Sequence, residues 1–350
     1  MSYKKWVCLF LASVMVLLCG FGSITYAADP LLQFRYSDYI MEFEDMEIYT
    51  NPGMAKNGVY DTVLVGTSMV ENTNVQECNQ LYGCDMVRLS YSGGYAYNMK
   101  RILDVCFDSD NQIERVFWGL DVFQLINAYQ QPRYPLPEYL YQNGLVNKLS
   151  YLLNLDVLYN FSIPYIKNLN TQNVQSTEEP ESQKERSTLY NRENALASYD
   201  RPQDIQESAS ENLYMENVVL NMEHNIKPLL RENPQTEFVF FFVPYSMLYW
   251  DREVRRGTLD AYMYALEYAI SQLFEYENVE IYFFHDQWET AEDLENYKDY
   301  SHYGAWINSA IMRDIAGGYN RLGKENYKQR LDDMKQYLYS YPFDVLFDER

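Results

Sequence analysis

The chain has 350 residues, enough for one large α/β domain with insertions or for two small domains. Its 28 Lys and Arg against 50 Asp and Glu give a formal charge of −22, which repels phosphate backbones and argues against nucleic acid as a partner. The sequence carries no zinc-binding, P-loop or dinucleotide-binding motif, so it implies no cofactor and no metal.

The first 28 residues determine where the protein is expected to reside. Lys4-Lys5 precedes an apolar stretch from Trp6 to Ala28, which is long enough to span a bilayer. The two lysines favour the cytoplasmic side, so residues 29–350 are predicted to be extracytoplasmic. Thr25-Tyr26-Ala27 resembles a small-x-small cleavage site, and a removed signal peptide is therefore the alternative to an uncleaved membrane anchor.

Three cysteines lie beyond that segment: Cys78, Cys84 and Cys106. An oxidising compartment would permit a Cys78–Cys84 disulfide, but the odd third thiol argues against a designed disulfide framework. Free and mostly buried thiols are the simpler expectation.

Short apolar runs along the chain predict five strands. They are 61–66, 86–91, 115–121, 237–243 and 279–284. Continuous apolar runs of this length are typical of strands that are covered on both faces. Between and after them, apolar residues at spacings of three and four predict helices, including 259–273, 307–315 and 327–338. This alternation predicts the α/β class, with a three-layer, doubly wound parallel sheet of about five strands.

A polar segment at about 171–211 interrupts the pattern. Between Thr171 and Thr188 the only apolar side chain is Val174, too little apolar surface to offset the entropy of ordering the chain. The segment is predicted to be a disordered insertion, with a lid over a cleft as the alternative. The predicted organisation is an N-terminal segment, 1–28, followed by one domain, 29–350, that carries this insertion.

Two short motifs contain residue types that support nucleophilic catalysis. Gly66-Thr67-Ser68-Met69 follows the first strand, which places Ser68 at the carboxyl end of the sheet, beside a helix N-terminus that can stabilise an oxyanion. The alternative role for Ser68 is a simple helix cap. Asp299-Tyr300-Ser301-His302 follows the last strand, and there Asp299 can orient His302 while the other ring nitrogen takes the Ser68 proton.

Together these motifs resemble the SGNH hydrolase superfamily, which carries a Gly-Asp-Ser-type block, a second-block Gly, a Gly-x-Asn and a C-terminal Asp-x-x-His. The matching residues here are Gly66-Thr67-Ser68, Ser90 to Gly94, Gly119-Leu120-Asp121 and Asp299 to His302. The resemblance covers roughly residues 60–318 and implies a flavodoxin-like strand order. It also implies a catalytic triad of Ser68, His302 and Asp299, and an oxyanion hole at Ser68, Gly93, Gly94 and Asp121.

One departure from the family pattern concerns Asp121, which stands where the family has an oxyanion-binding Asn. An ionised carboxylate cannot donate a hydrogen bond, and it opposes a nearby developing negative charge. Either Asp121 is protonated, or it faces a backbone donor and the oxyanion hole depends on two N–H groups. Loss of one such donor typically costs about 10²–10³ in rate.

The stretch from Tyr297 to Tyr303 is similar to exported SGNH-like proteins that act beside membrane-bound O-acyltransferases, among them the D-alanyl-lipoteichoic acid transfer protein and the alginate acetylation proteins. This resemblance implies a serine esterase or O-acyltransferase that acts on O-acyl groups, with acetyl favoured, of a cell-wall or extracellular polysaccharide. A membrane-bound O-acyltransferase is the implied partner. Hydrolysis and transfer remain open, and the alternative function is a catalytically degenerate, glycan-binding accessory subunit.

Further polar residues near the predicted strand ends are weaker candidates. Tyr245 and Ser246 follow the fourth strand and His285 follows the fifth, so all three are predicted to line a substrate cleft. Arg252, Arg255 and Arg256 form a basic island, which predicts either a solvated helix start or a contact with an anionic polymer.

Overall fold

The protein is described by a computed structural model for residues 2–37, 39–40, 47–169, 175–176 and 188–348. The chain divides into two compact units. The first comprises the described residues of 1–59, 104–110 and 135–179, and the second comprises 60–103, 111–134 and the described residues of 180–350. The sequence predicts one domain after residue 28, whereas residues 29–59 group here with the N-terminal segment.

The second unit is built on a five-stranded sheet, and all its strand pairs are parallel. The strands are β1 (Thr62–Gly66), β2 (Met86–Ser90), β3 (Arg115–Gly119), β4 (Glu237–Phe242) and β5 (Val279–Phe283), in the spatial order β2-β1-β3-β4-β5. Every residue of β1 is buried, as expected for a strand covered on both faces. The α/β class and the flavodoxin-like strand order are confirmed.

Helices flank this sheet, as the apolar spacings predict. Those that begin in the second unit are Val75–Tyr82, Ala96–Phe107, Val122–Leu125, Arg192–Ala197, Met215–Asn221, Lys227–Glu232, Met247–Arg255, Leu259–Leu273, Trp288–Glu292, Ala305–Ala316 and Tyr327–Ser340, with a π-helical turn at Met222–Ile226 and 3₁₀ turns at Ser68–Val70, Glu211–Tyr214, Leu294–Asn296 and Phe343–Leu346. The predicted stripe of Leu259–Leu273 is buried, since Leu259, Leu266 and Leu273 are all 0% exposed.

The first unit contains an N-terminal helix, Tyr3–Ala28, that is long and apolar enough to cross a membrane. Its other helices are Glu47–Asn57, Glu138–Tyr141, Leu145–Leu152 and Ile163–Leu169, with a π-helical turn at Val157–Ser162. A two-residue antiparallel pairing joins Tyr39–Ile40 to Gln175–Ser176.

All five cysteines are free, so the Cys78–Cys84 disulfide is not formed. Cys78 and Cys106 are buried and Cys84 is partly exposed, which agrees with the simpler expectation of free and mostly buried thiols.

The predicted disorder of 171–211 is wrong for its C-terminal part. Residues 188–211 include the helix Arg192–Ala197, which is capped by the Asn191 side chain, and the Asn191 N–H donates to the Tyr297 carbonyl at 3.1 Å. Residues 171–174 and 177–187 lie outside the described residues. The low content of apolar side chains does not predict the order of 188–211, because hydrogen bonds and ion pairs stabilise this segment.

The carboxylate of Asp251 is the centre of those ion pairs. It is 1% exposed and accepts hydrogen bonds from the Tyr199 hydroxyl at 2.9 Å, Arg201 Nε at 2.8 Å and Arg255 Nε at 3.1 Å. This carboxylate therefore joins Tyr199 and Arg201 to Arg255, which lies in the helix Met247–Arg255.

We expect Asp251→Ala to lower the free energy of unfolding by about 3–5 kcal/mol, because it removes the buried anion of Arg201 and Arg255 and leaves them only the exposed carboxylate of Asp344. Asp344→Ala is the matched control. Asp344 also pairs with Arg201 at 2.8 Å but is 85% exposed, so its loss should cost less than about 1 kcal/mol. Thermal unfolding of both variants measures the difference, and equal shifts would contradict the central role of Asp251.

Candidate active site

The turn that carries Ser68 folds tightly over the carboxyl edge of the sheet. Thr67 caps the 3₁₀ turn Ser68–Val70, and its Oγ1 accepts a hydrogen bond from the Met69 N–H at 3.4 Å. Gly66 and Gly119 are register partners at the ends of β1 and β3. A Cβ atom on Gly119 would lie 2.6 Å from Val70 Cγ1, and one on Gly66 would lie 2.8 Å from Val70 Cγ2. Both glycines are therefore needed for this turn to approach the sheet.

The loop that carries His302 is held at both ends by tyrosine hydroxyls. Tyr297 pairs with Tyr303 across the loop. The Tyr297 hydroxyl donates to the Pro244 carbonyl at 3.0 Å, beyond the end of β4, and the Tyr303 hydroxyl donates to the Met69 carbonyl at 2.9 Å. The loop is thus attached to the residue that follows Ser68.

The structure brings Ser68, His302 and Asp299 together. Ser68 Oγ lies 2.8 Å from His302 Nε2, and His302 Nδ1 lies 2.7 Å from Asp299 Oδ2. Asp299 Oδ1 accepts the backbone N–H groups of Ser301 and His302, each at 2.8 Å. Because the carboxylate is held from both sides, its position relative to the imidazole is well defined.

The electrostatics of this group favour an ionised Asp299. Burial opposes its ionisation, but the hydrogen bonds from His302 and Ser301 outweigh burial and hold the pKa of Asp299 well below its usual range. The side chains of His302 and Asp299 are 31% and 27% exposed. A reactant can therefore reach the site from solvent.

The segment after β2 contains the predicted oxyanion glycines, and the prediction for Gly94 is wrong. The Gly94 N–H donates to the Tyr91 carbonyl at 2.8 Å and is therefore already used within the turn. Gly93 has φ of 59°, a conformation that favours glycine, and its N–H has no acceptor among the described residues. Ser92 donates to Glu71 at 3.2 Å, which ties this segment to the residues that follow the Ser68 turn.

Asp121 is buried and acts as a helix cap. Its Oδ1 accepts the Gln124 N–H at 3.1 Å, its Oδ2 accepts the Thr67 hydroxyl at 3.4 Å, and the Tyr245 hydroxyl also hydrogen-bonds to it. Burial raises the pKa of Asp121 to about 6, although these hydrogen bonds oppose the shift. The sequence leaves two alternatives for Asp121, a protonated side chain or one that faces a backbone donor. The contact with the Gln124 N–H corresponds to the second.

We expect Asp121 to make stability depend on pH between about 4 and 6. Its pKa is higher in the folded chain than in the unfolded chain, so the folded state holds the extra proton, and stability falls as the pH rises through this window. The full effect is on the order of 3 kcal/mol at 1.36 kcal/mol per pKa unit. In Asp121→Asn this part of the pH dependence should vanish, as measured by thermal unfolding at pH 4 and pH 7. A variant as pH-dependent as the wild type would contradict it.

Tyr245, Ser246 and His285 do not line a cleft, so that prediction is wrong. Their exposed fractions are 5%, 0% and 0%. His285 Nε2 contacts the Tyr262 hydroxyl at 2.9 Å and Nδ1 contacts the Val243 carbonyl, and burial lowers the pKa of His285 to about 4. Ser246 donates to the Tyr300 carbonyl, and this hydrogen bond helps to position the loop that carries His302.

Two arginines of the basic island make structural contacts and lie in the last turn of Met247–Arg255, so the prediction of a solvated helix start is wrong. Arg252 donates to the Tyr300 hydroxyl at 2.8 Å, pairs with Glu253, and lies 5.0 Å from the centroid of the Tyr300 ring. Arg255 pairs with Asp251. Arg252 therefore supports the His302 loop, a role that residue spacing does not indicate.

Arg133 is a site residue that the sequence did not indicate. Its Nη1 would lie 1.7 Å from a Cβ atom built on Gly93, so the guanidinium packs directly on that glycine. Arg133 is exposed, and its guanidinium carbon lies 5.2 Å from the centroid of the Tyr134 ring. It places a cation beside the candidate oxyanion donors. Among the described residues, no group of three or more His, Cys, Asp or Glu side chains could hold a metal ion.

Comparisons with known proteins give little guidance. No protein-family model and no curated protein matches the chain. A solved structure from Streptococcus pneumonia, provisionally named a platelet activating factor, is similar at 12% sequence identity and a TM-score of 0.42, over 78% of this chain and 92% of that chain. A similarity at this level supports no conclusion about family or activity.

Proposed function

We propose that the protein is an SGNH-type serine esterase or acyltransferase, with Ser68 as nucleophile, His302 as general base and Asp299 as the residue that orients His302. The observation that carries this proposal is the continuous hydrogen-bonded chain from Asp299 through His302 to Ser68 Oγ. It lies on a tight turn at the carboxyl edge of a parallel sheet, where open α/β folds bind their ligands.

The proposed reaction has two steps, the acylation of Ser68 and its deacylation. His302 Nε2 takes the proton of Ser68 as Oγ bonds to the acyl carbonyl carbon, and the resulting oxyanion is stabilised by the N–H groups of Ser68 and Gly93. Collapse breaks the ester bond, and His302 returns the proton to the leaving alkoxide. A water or sugar hydroxyl then loses its proton to His302 and attacks the acyl-serine carbonyl. Collapse of this second oxyanion breaks the bond to Ser68 Oγ, and His302 returns the proton to Oγ, which restores the free enzyme.

The substrate we propose is an O-acyl, favoured as O-acetyl, group on a cell-wall or extracellular polysaccharide. This rests on the resemblance of Tyr297 to Tyr303 to exported proteins that act with membrane-bound O-acyltransferases, and such a transferase is the proposed partner. The apolar helix Tyr3–Ala28 supports an extracytoplasmic, membrane-anchored location. Arg133 beside Gly93 favours an acceptor or acyl donor that carries negative charge.

A second candidate is a glycan-binding accessory subunit without turnover. The specific observation in its favour is Asp121, which replaces the oxyanion-binding Asn of the family and has its carboxylate oxygens occupied by the Gln124 N–H and the Thr67 hydroxyl. This candidate gives no reason for the hydrogen bond from Ser68 to His302, so we favour the enzyme.

Covalent labelling of the full chain in detergent separates the two candidates. A fluorophosphonate should form an adduct at Ser68, identified by peptide mass spectrometry, and His302→Ala should abolish it. Ser271→Ala is the matched control, because the Ser271 hydroxyl donates to the Tyr268 carbonyl at 2.7 Å within its own helix, and it should keep the label. Absence of a Ser68 adduct under conditions that label a control esterase would favour the binding subunit.

Transfer and hydrolysis are distinguished by competition. An activated acetyl ester is supplied with and without oligosaccharide acceptors, and the products are counted as acetylated acceptor or free acetate. A transferase acetylates the acceptor although water is present at about 55 M, which requires an acceptor held in near-attack geometry. If acceptors never compete with water, the protein is an esterase.

A further inference from the structure

The first unit exposes an apolar surface in addition to that of its N-terminal helix. It lies on the helix Leu145–Leu152 and on the residues that follow as far as Ile166. Leu145 and Val146 are 74% and 76% exposed, so most of the surface of each residue is accessible to solvent. The members, here called the apolar patch, are Leu145, Val146, Leu149, Leu153, Leu155, Tyr159 and Ile166. So many exposed large apolar groups in one short segment mark an interaction surface.

The apolar patch continues the surface of the candidate membrane helix. A Cβ atom on Gly22 would lie 3.7 Å from Leu153 Cδ2 and 3.8 Å from Leu152 Cβ, so the two helices pack closely at this glycine. Ser162 Oγ donates to Thr25 Oγ1 at 3.5 Å, and Thr25 is the one buried residue of Tyr3–Ala28. The C-terminal half of that helix therefore packs against the helices that carry the patch.

The end of the membrane helix is part of the folded first unit. Asp29 ends it with φ of 41° and is 3% exposed. Its carboxylate accepts the backbone N–H groups of Gln33 and Phe34, each at 2.9 Å, and the Tyr151 hydroxyl at 3.1 Å. Cleavage after Ala27 would remove Gly22 and Thr25 with their contacts to Leu153 and Ser162, whereas the contacts of Asp29 would remain.

The charge of the patch segment differs from that of the whole chain. Residues 143–168 contain Lys148, Lys167 and Asp156 as their only charged groups, which gives 2 − 1 = +1, against −22 for the 350 residues. Lysine side chains can lie along an apolar surface and keep their ammonium groups in water. This segment thus carries a net charge of +1 in place of the net negative charge that would repel an anionic membrane surface.

We propose that residues 143–168 form a second membrane contact, with the apolar patch inserted into the bilayer interface beside Tyr3–Ala28. Helices of this kind bury their apolar face about 5–10 Å into the boundary between headgroups and acyl chains. The occupant is lipid, because the patch is continuous with a helix whose exposed apolar side chains have the length and hydropathy of a membrane span. The first unit is then held at the membrane by two elements.

Lipid photo-crosslinking of the unmodified full chain tests this proposal. The protein is reconstituted into vesicles of phosphatidylcholine and phosphatidylglycerol that contain a phosphatidylcholine with a diazirine on its acyl chain, and adducts are mapped by peptide mass spectrometry. Adducts are expected in Tyr3–Ala28 and in 143–168. Ile205 and Leu213 of the second unit, 68% and 52% exposed, are internal controls and should carry none.

The double variant Leu145→Glu/Leu149→Glu should lose the adducts in 143–168 and keep those in Tyr3–Ala28, whereas Ile205→Glu should change neither. Adducts confined to Tyr3–Ala28 in the wild type would overturn the proposal, because the patch would then not contact lipid. A protein partner would be the other occupant. Equal labelling at Ile205, Leu213 and the patch would also overturn it, because exposure alone would then explain the adducts.

Discussion

Ser68→Ala should lower kcat for an activated acyl ester by about 10⁴- to 10⁶-fold, the range seen when a serine nucleophile that acts as a unit with its base is removed. The physical reason is the loss of the Oγ atom that lies 2.8 Å from His302 Nε2, so no acyl-serine forms. KM should change far less than kcat, because Ala removes a reacting atom and no binding surface. Steady-state kinetics on the full chain measure both constants.

The control for that experiment is Ser246→Ala. Ser246 is buried, and its hydroxyl holds the Tyr300 carbonyl, so the variant disturbs the same loop without touching the reacting atoms. Its kcat should fall much less than that of Ser68→Ala. Unchanged turnover in Ser68→Ala, with an unchanged melting temperature, would contradict Ser68 as the nucleophile.

Asp299→Asn should lower kcat by about 10⁴-fold while the fold is kept, as expected when the partner of a catalytic His becomes an amide. The amide nitrogen donates to His302 Nδ1, so the other tautomer is favoured and Nε2 presents N–H to Ser68 in place of a lone pair. Asp293→Asn is the matched control, since Asp293 is exposed and caps the neighbouring 3₁₀ turn Leu294–Asn296. Its kcat should stay near that of the wild type.

The same carboxylate gives a test at low pH. Because the pKa of Asp299 is held below its unfolded value, its contribution to stability is present above about pH 4 and is lost as the pH falls. Thermal unfolding at decreasing pH should therefore show a smaller loss of stability for Asp299→Asn than for the wild type.

The kinetic prediction has its own contradicting outcome. If kcat of Asp299→Asn equals that of the wild type, Asp299 is not the residue that orients His302.

Local patterns were sufficient for the sheet and for the order of the site motifs. The buried runs of β1 to β5 are continuous in sequence, and Gly66 and Gly119 end two of them, so both the strands and the site edge could be predicted from short windows. The contacts that position the site could not, because they join distant residues. Tyr303 and Met69 are 234 positions apart, and no spacing links their hydroxyl and carbonyl.

Two other features escaped prediction for different reasons. Order in 188–211 depends on the buried carboxylate of Asp251, a contact that a count of apolar residues ignores. The apolar patch has the amphipathic spacing of any helix that packs on a core. Only the 74% and 76% exposure of Leu145 and Val146 shows that this end of the patch faces outward.

The hydroxyl of Tyr303 links the loop that carries His302 to the turn that carries Ser68. Because this hydroxyl donates to the carbonyl of Met69, the residue after Ser68, a displacement of one loop relative to the other would have to stretch this hydrogen bond. The hydrogen bond therefore restrains changes in the 2.8 Å distance between Ser68 Oγ and His302 Nε2.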